Sequence, residues 1–169
     1  MGLKRVQAPV SWVRADNLHL TLRFLGSVNE RTLIVVREAL EEAAPGTPPF
    51  AVTLGGLGAF PAPFAPRVVW AGVTEGAEAL AGLHGRLEAA LAARGIPPEG
   101  RHYHAHVTLG RARDPRGAGA LAGALEAPAG PFGEAPVEAV HLMRSDLDPG
   151  GARYSVLARV ALGEQGTRV

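Results

Sequence analysis

The 169-residue sequence contains no cysteine and a single lysine, and aromatic residues make up only 5% of it. The absence of cysteine excludes disulfides, thiol catalysis and cysteine-ligated zinc sites. No apolar run approaches the roughly 20 residues that a membrane-spanning helix needs, and the N-terminal stretch lacks the apolar core of a secretory signal. We therefore expect a cytoplasmic protein that does not associate with membranes.

A strong excess of charge is also missing. The chain carries 17 basic and 16 acidic residues, which gives a formal net charge of +1 at pH 7. Bulk electrostatics therefore give no reason to expect tight nucleic-acid binding, and an anionic substrate would have to be held by a local site. A hydrophobic content of 47% is ordinary for one soluble globular domain of this length.

Hydrophobic patterns and helix-breaking residues predict alternating strands and helices, which indicates an α+β fold. The predicted helices are Asn29 to Ala44, Glu78 to Arg94 and Gly117 to Leu125. The predicted strands are Leu18 to Leu25, Phe50 to Phe60, Arg67 to Val73, Tyr103 to Arg111, Val137 to Arg144 and Arg153 to Leu162.

The most unusual stretch is RHYHAHVTLGR, residues 101–111, in which His102, His104 and His106 occupy alternate positions. On a strand, alternate residues share one face, so this stretch could present three imidazoles to a metal ion. The alternative is that only part of the stretch carries function. The two remaining histidines outside any motif, His84 on a predicted helix and His141 on a mostly buried strand, are expected to be structural.

A second copy of part of this stretch lies near the N-terminus. HLTL begins at His19 and HVTL begins at His106, 87 positions later, and Arg67 and Arg153 each open a later apolar strand, 86 positions apart. These offsets predict two related lobes. By this symmetry the first lobe should have a strand and a helix before its HLTL, and only 18 residues precede it. We therefore expect the first-lobe N-terminal strand and helix to be missing.

The two copies suggest a common chemistry. On a strand, His19 shares a face with Thr21, and His106 shares a face with Thr108. Two imidazoles can act as acid and base near neutral pH, and two hydroxyls can donate hydrogen bonds to phosphate oxygens. The pattern predicts metal-free phosphoester chemistry, with His102 and His104 as rim residues.

Four stretches resemble one known family: WVRADNLHLTLRFLGSV, GLGAFPAPFAPRVVWAGV, YHAHVTLGRAR and VHLMRSDLDPGGARYSVLARVAL. Together they span about residues 10–162. They are similar to the 2H phosphoesterase superfamily, and in particular to its RNA 2′,3′-cyclic phosphodiesterase (2′-5′ RNA ligase) branch. One departure is Ala105, which stands where the family usually has proline.

The resemblance implies a single bilobal domain over residues 1–169. Lobe 1 would cover about 10–66 and lobe 2 about 67–162, with exchange of elements between them allowed. Each lobe would be an antiparallel-type sheet with helices on its outer side, and the active-site groove would lie between the lobes.

The resemblance also implies hydrolysis of 2′,3′-cyclic phosphate ends of RNA or nucleotides to 2′-phosphomonoesters, together with a reversible 2′-5′ RNA ligase activity. His19 would be the proton donor and His106 the proton acceptor, while Thr21, Thr108, Arg111 and Tyr103 would contact the substrate. No metal or other cofactor is expected. We expect a monomer, with tRNA fragments among its possible substrates.

Two alternatives remain open at the level of sequence. The first is a metalloenzyme that uses His102, His104 and His106, which would leave the HLTL copy unexplained. The second is an RNA-end binding protein with weak or no catalysis, an option that the short N-terminus raises.

Overall fold

The computed structural model describes residues 3, 6–148 and 151–163. Its strands are β1 (Val10–Trp12), β2 (Phe50–Phe60), β3 (Val68–Glu75), β4 (His106–Ala112), β5 (Gly133–Val137), β6 (Ala139–Asp148) and β7 (Gly151–Ala161). Its helices are α1 (Glu30–Ala43), α2 (Ala77–Ala93), α3 (Pro115–Ala118) and α4 (Ala122–Glu126), with 3₁₀ turns at Ala15–Asn17 and Gly119–Leu121. The predicted α+β class is confirmed. None of the described helices is long and apolar enough to cross a membrane.

The chain divides into two compact units. Unit 1 comprises 1–21, 53–75 and 105–134, and unit 2 comprises 22–52, 76–104 and 135–169. The sequence predicted lobes of about 10–66 and 67–162, with exchange of elements between them allowed. The units differ from these lobes because one sheet collects strands from both halves of the chain.

Unit 1 is built on a five-stranded sheet of order β1-β4-β3-β2-β5. The pairs β1–β4, β3–β4 and β2–β3 are antiparallel. Apolar residues on one side of this sheet pack with the short helices of the 115–126 segment. The buried members of this core are Ala59, Val69, Leu121 and Leu125, joined by the partly buried Val10, Trp12, Leu57 and Leu109. The opposite side of the sheet is therefore available for polar residues.

Unit 2 combines α1 and α2 with the antiparallel hairpin of β6 and β7. The Asn29 side chain accepts a hydrogen bond from the Thr32 backbone N–H at 2.9 Å, which confirms the predicted N-cap of α1. Gly95 follows α2 with a φ of 81°, a left-handed conformation that glycine adopts without strain. The buried faces of the two helices form one core of Val36, Ala39, Leu40, Ala43, Leu87, Ala90 and Leu91.

Three predicted elements differ from the structure. Leu18 to Leu25 is not a strand; only Leu20 forms a bridge, because the chain leaves unit 1 after Thr21 and its next apolar side chains join the core of unit 2. β4 begins at His106 rather than at Tyr103. The segment 117–125 is broken into short helical turns, as its three glycines make a continuous helix unfavourable.

Candidate active site

β4 carries the second motif and lies between two neighbours of unit 1. β3 pairs with it from Gly72, opposite His106, to Val68, opposite Arg111. On the other edge, β1 pairs with residues 110–112 and Leu20 forms an isolated antiparallel bridge with Val107. The Val107 side chain is 5% exposed, so this edge is anchored in the interior.

The Leu20–Val107 bridge brings the two motifs together on one face. Residues that flank an antiparallel bridge oppose each other, so His19 lies across from Thr108 and Thr21 lies across from His106. Their side chains point away from the face of Leu20 and Val107. Directly opposed residues have Cβ atoms about 4.5–5.5 Å apart, so two imidazoles and two hydroxyls share one small surface.

This arrangement differs in one respect from the sequence prediction. We expected two lobes to face each other, each with one motif. Both motifs instead belong to unit 1, and a backbone bridge joins them.

The His106 ring packs against aromatic side chains of β2 and β3. The Phe60 ring meets it edge to face at a centroid distance of 5.2 Å, and the Trp70 ring lies 6.2 Å away. Gly72, directly opposite His106, adds no side chain to this surface. His106 is partly buried, so its ring is held in a defined orientation.

His19 has a different environment. Its side chain is exposed, and Nδ1 lies 2.7 Å from the backbone carbonyl oxygen of Asn17, the last residue of a 3₁₀ turn. A carbonyl oxygen only accepts hydrogen bonds, so Nδ1 carries the proton and donates it. Nε2 is then the ring nitrogen that can exchange a proton with a ligand.

A β-bulge places Arg111 on the same face as the motifs. Arg111 is five residues after His106, and simple alternation would put the two on opposite faces. The pairing of β3 with β4 shifts between Val69 and Trp70, which leaves one extra residue in β4 at Leu109. After the shift, Gly110 faces the core beside Val10 and Trp12, and Arg111 turns to the motif face.

Tyr103 lies in unit 2, outside the β4 strand. Its ring stacks on that of His84 at a centroid distance of 4.3 Å, and its hydroxyl is buried without a hydrogen-bond partner among the described residues. Burial raises the pKa of the Tyr103 hydroxyl to about 12. This environment favours a packing role, and substrate contact by Tyr103 stays a prediction.

The alternative in which His102, His104 and His106 share one face of a strand is wrong. Because β4 begins at His106, His102 and His104 do not share a strand with it, and they fall in unit 2. Among the described residues, no group of three or more His, Cys, Asp or Glu side chains is arranged to hold a metal ion. His141 was expected to be mostly buried, but it is exposed on β6.

The aromatic wall of Phe60 and Trp70 was missed by the sequence reasoning. Gly58 makes room for it, since a Cβ atom at position 58 would collide with the Trp70 indole. The sequence does contain a sign of this packing: β2 has three glycines, and the following strand, β3, has a tryptophan. Glycine in a strand often marks the close approach of another group.

The fold class and the paired His-x-Thr stretches agree with the predicted 2H phosphoesterase class. A family model described as the 2′-5′ RNA ligase superfamily matches residues 5–149. The chain therefore belongs to this superfamily.

Relatives of known name cover most of the chain. A protein of Aeropyrum pernix named RNA 2′,3′-cyclic phosphodiesterase is 37% identical over 159 residues, which are 94% of this chain and 89% of the relative. A protein of the same name from Methanothermobacter thermautotrophicus is 37% identical over 154 residues, 90% of this chain and 83% of the relative.

Solved structures show the same fold. A crystal structure of a Thermus thermophilus protein superposes with a TM-score of 0.77 at 32% identity, covering 97% of this chain and 89% of the other. Escherichia coli LigT, crystallised with 3′-AMP, gives a TM-score of 0.73 at 29% identity and covers 92% and 82%.

Proposed function

We propose that this chain hydrolyses 2′,3′-cyclic phosphates at RNA ends or on nucleotides to 2′-phosphomonoesters, by two-histidine acid-base catalysis without a metal. The observation that carries the proposal is the Leu20–Val107 bridge. Its antiparallel register supports a shared face for His19, Thr21, His106 and Thr108. The names of the Aeropyrum and Methanothermobacter relatives support the substrate class.

The reaction uses each motif residue once. His106 takes a proton from water, and the resulting oxygen attacks phosphorus. The bond between phosphorus and the 3′ oxygen breaks, and His19 gives its proton to that oxygen, which leaves a 3′ hydroxyl and a 2′ phosphate. Thr21 and Thr108 donate hydrogen bonds to the non-bridging oxygens, and Arg111 adds charge at the same phosphate.

Two features fit these roles. The Asn17 carbonyl accepts the Nδ1 proton of His19, so the proton given to the leaving oxygen comes from Nε2 of the doubly protonated ring. Phe60 and Trp70 hold the His106 ring, which limits the motion of the group that must approach water. The choice of donor and acceptor between the two histidines follows the family resemblance. With the 5′ hydroxyl of a second RNA end in place of water, the same ring-opening step would break the bond between phosphorus and the 3′ oxygen and form a 2′-5′ linkage.

The test is an assay of the chain with a 2′,3′-cyclic mononucleotide in the presence of EDTA, with the product identified by ³¹P NMR. We expect a 2′-phosphomonoester and a bell-shaped pH dependence from two coupled imidazoles. A 3′-phosphate product, or loss of turnover in EDTA, would contradict the mechanism. Binding of a cyclic-ended RNA without turnover would favour an RNA-end binding protein instead.

A further inference from the structure

The motif face continues beyond the four motif residues along the edge of β4. Arg111 lies opposite Ser11 of β1. The Arg113 backbone N–H donates to the Pro9 carbonyl at 2.7 Å, so the pairing extends two residues further in the same register. Alternate residues share a face, so Arg113, the residue after the end of β4, lies on the same side as Arg111 and further from His106 and Thr108.

The Arg113 side chain is held in place rather than extended freely into solvent. Its Nε–H donates to the Ser11 hydroxyl at 2.7 Å, which fixes the plane of the guanidinium. In the part of the chain that the structure describes, its two terminal nitrogens have no partner. They are the groups that form a two-pronged contact with a phosphate.

The neighbouring carboxylate does not neutralise this arginine. Asp114 follows directly, but its two oxygens accept hydrogen bonds from the backbone N–H groups of Arg116 and Gly117 at the start of α3. Asp114 is thus committed to capping the helix.

Two other exposed arginines have carboxylate partners. Arg37 pairs with Glu41 at 2.8 Å, and Arg144 pairs with Asp146 at 2.9 Å. Among the side chains that the structure describes, neither Arg111 nor Arg113 has a carboxylate within ion-pair distance. Two successive guanidinium groups without carboxylate partners on the motif face suit a ligand with several phosphates better than a ligand with one phosphate.

We propose that Arg113, oriented by Ser11, binds the phosphodiester that precedes the cyclic end, so that the site favours the end of an RNA strand over a free cyclic nucleotide. This inference rests on the proposed function. Arg111 and Arg113 are two strand positions apart, about 6–7 Å along β4, which is comparable to the separation of successive phosphates in an RNA strand.

The experiment compares kcat/KM for a 2′,3′-cyclic mononucleotide and for a trinucleotide with a 2′,3′-cyclic end. Arg113→Ala should lower the trinucleotide value about 10-fold or more, mainly through KM, because a charged hydrogen bond is lost. The mononucleotide value should stay within about twofold. Arg113→Lys should recover only part of kcat/KM for the trinucleotide, because lysine keeps the positive charge but lacks the paired N–H donors of the guanidinium.

Two further variants sharpen the comparison. Ser11→Ala should lower kcat/KM for the trinucleotide and leave the mononucleotide value unchanged. The decrease should be smaller than for Arg113→Ala, because the arginine remains but is no longer oriented. Arg31→Ala in α1 removes one exposed positive charge elsewhere and should leave both substrates unchanged. The slope of log(kcat/KM) against log[salt] for the trinucleotide should be shallower by about 0.7 in Arg113→Ala, as expected for one phosphate contact on a single strand.

The outcomes separate this inference from the proposed function. If wild type turns over the mononucleotide and Arg113→Ala changes neither substrate, or both equally, the inference is overturned and the proposed function stands. If wild type turns over neither substrate, the proposed function fails. Direct binding of a 3′-phosphorylated trinucleotide then decides: weaker binding by Arg113→Ala supports the subsite, and equal binding overturns it.

Discussion

The two His-x-Thr copies are nearly identical in sequence, but their surroundings differ. The His106 copy opens a strand that is hydrogen-bonded along β3, and its ring packs against Phe60 and Trp70. The His19 copy lies on an exposed, irregular stretch that is tied to β4 by one bridge and to the Asn17 carbonyl by one hydrogen bond. Packing orients one histidine and the backbone orients the other, so the same motif can be supported in two ways.

The largest expected effect is the loss of either motif histidine. His19→Ala and His106→Ala should each lower kcat for a 2′,3′-cyclic nucleotide by roughly 10²–10⁴-fold, the usual contribution of a general acid or base. His102→Ala and His104→Ala serve as matched controls and should lose less than threefold. Comparable losses at all four positions would break the pairing of the two copies and revive the metal-cluster interpretation.

A smaller effect is expected from the two hydroxyls. Thr21→Val and Thr108→Val keep the side-chain shape and remove one hydrogen-bond donor each, which should lower kcat/KM about 10- to 100-fold if the donor meets a charged phosphate oxygen. Steady-state kinetics on both variants test whether the copies contribute equally. A loss at Thr108 alone would mean that the exposed copy contributes only its histidine.

The packing of His106 gives a still smaller effect. Phe60→Leu should lower kcat about 3- to 10-fold, since an aromatic contact contributes about 0.5–1.5 kcal/mol beyond burial and its loss loosens the ring. The bell-shaped pH profile should change with it, which a general loss of stability would not produce. Phe64→Leu, at an exposed ring on the 61–66 loop, is the control. An unaltered Phe60→Leu enzyme would show that strand pairing alone positions His106.

The smallest effect on catalysis is expected at Tyr103, just before the second copy. Burial raises its pKa to about 12, above the value near 10 of an unfolded chain. The folded state therefore holds this proton more tightly, and the stability that the neutral hydroxyl provides is present below pH ~10 and lost as pH rises toward ~12.

Tyr103→Phe should remove this alkaline loss of stability and change kcat less than threefold. Urea unfolding between pH 8 and pH 11.5 measures the first effect, and Tyr154→Phe, an exposed tyrosine, is the control. A Tyr103→Phe variant with a strongly raised KM would restore Tyr103 to the substrate site.

Local patterns predicted the regular elements well. β2 has the bounds expected from its sequence, Phe50–Phe60, and the Asn29 cap places the start of α1. These elements are specified by residues close together in the chain, namely caps, glycines and alternating apolar positions.

Long-range features could not be obtained in the same way. LHLTLRFL has the alternation of a strand, yet its two ends belong to different units and only Leu20 bridges to β4. Tertiary packing overrides the local preference there. The side of the sheet on which Arg111 lies could not be predicted either, because one extra residue at Leu109 reverses the alternation. Such a bulge depends on the pairing with the partner strand, which local sequence does not specify.

The hydrogen bond that fixes His19 comes from a backbone oxygen of residue 17. Every amino acid supplies that oxygen, so mutation at position 17 can change the side chain without removing the acceptor. The acceptor that orients His19 is therefore a property of the path of the main chain through the 3₁₀ turn at Ala15–Asn17.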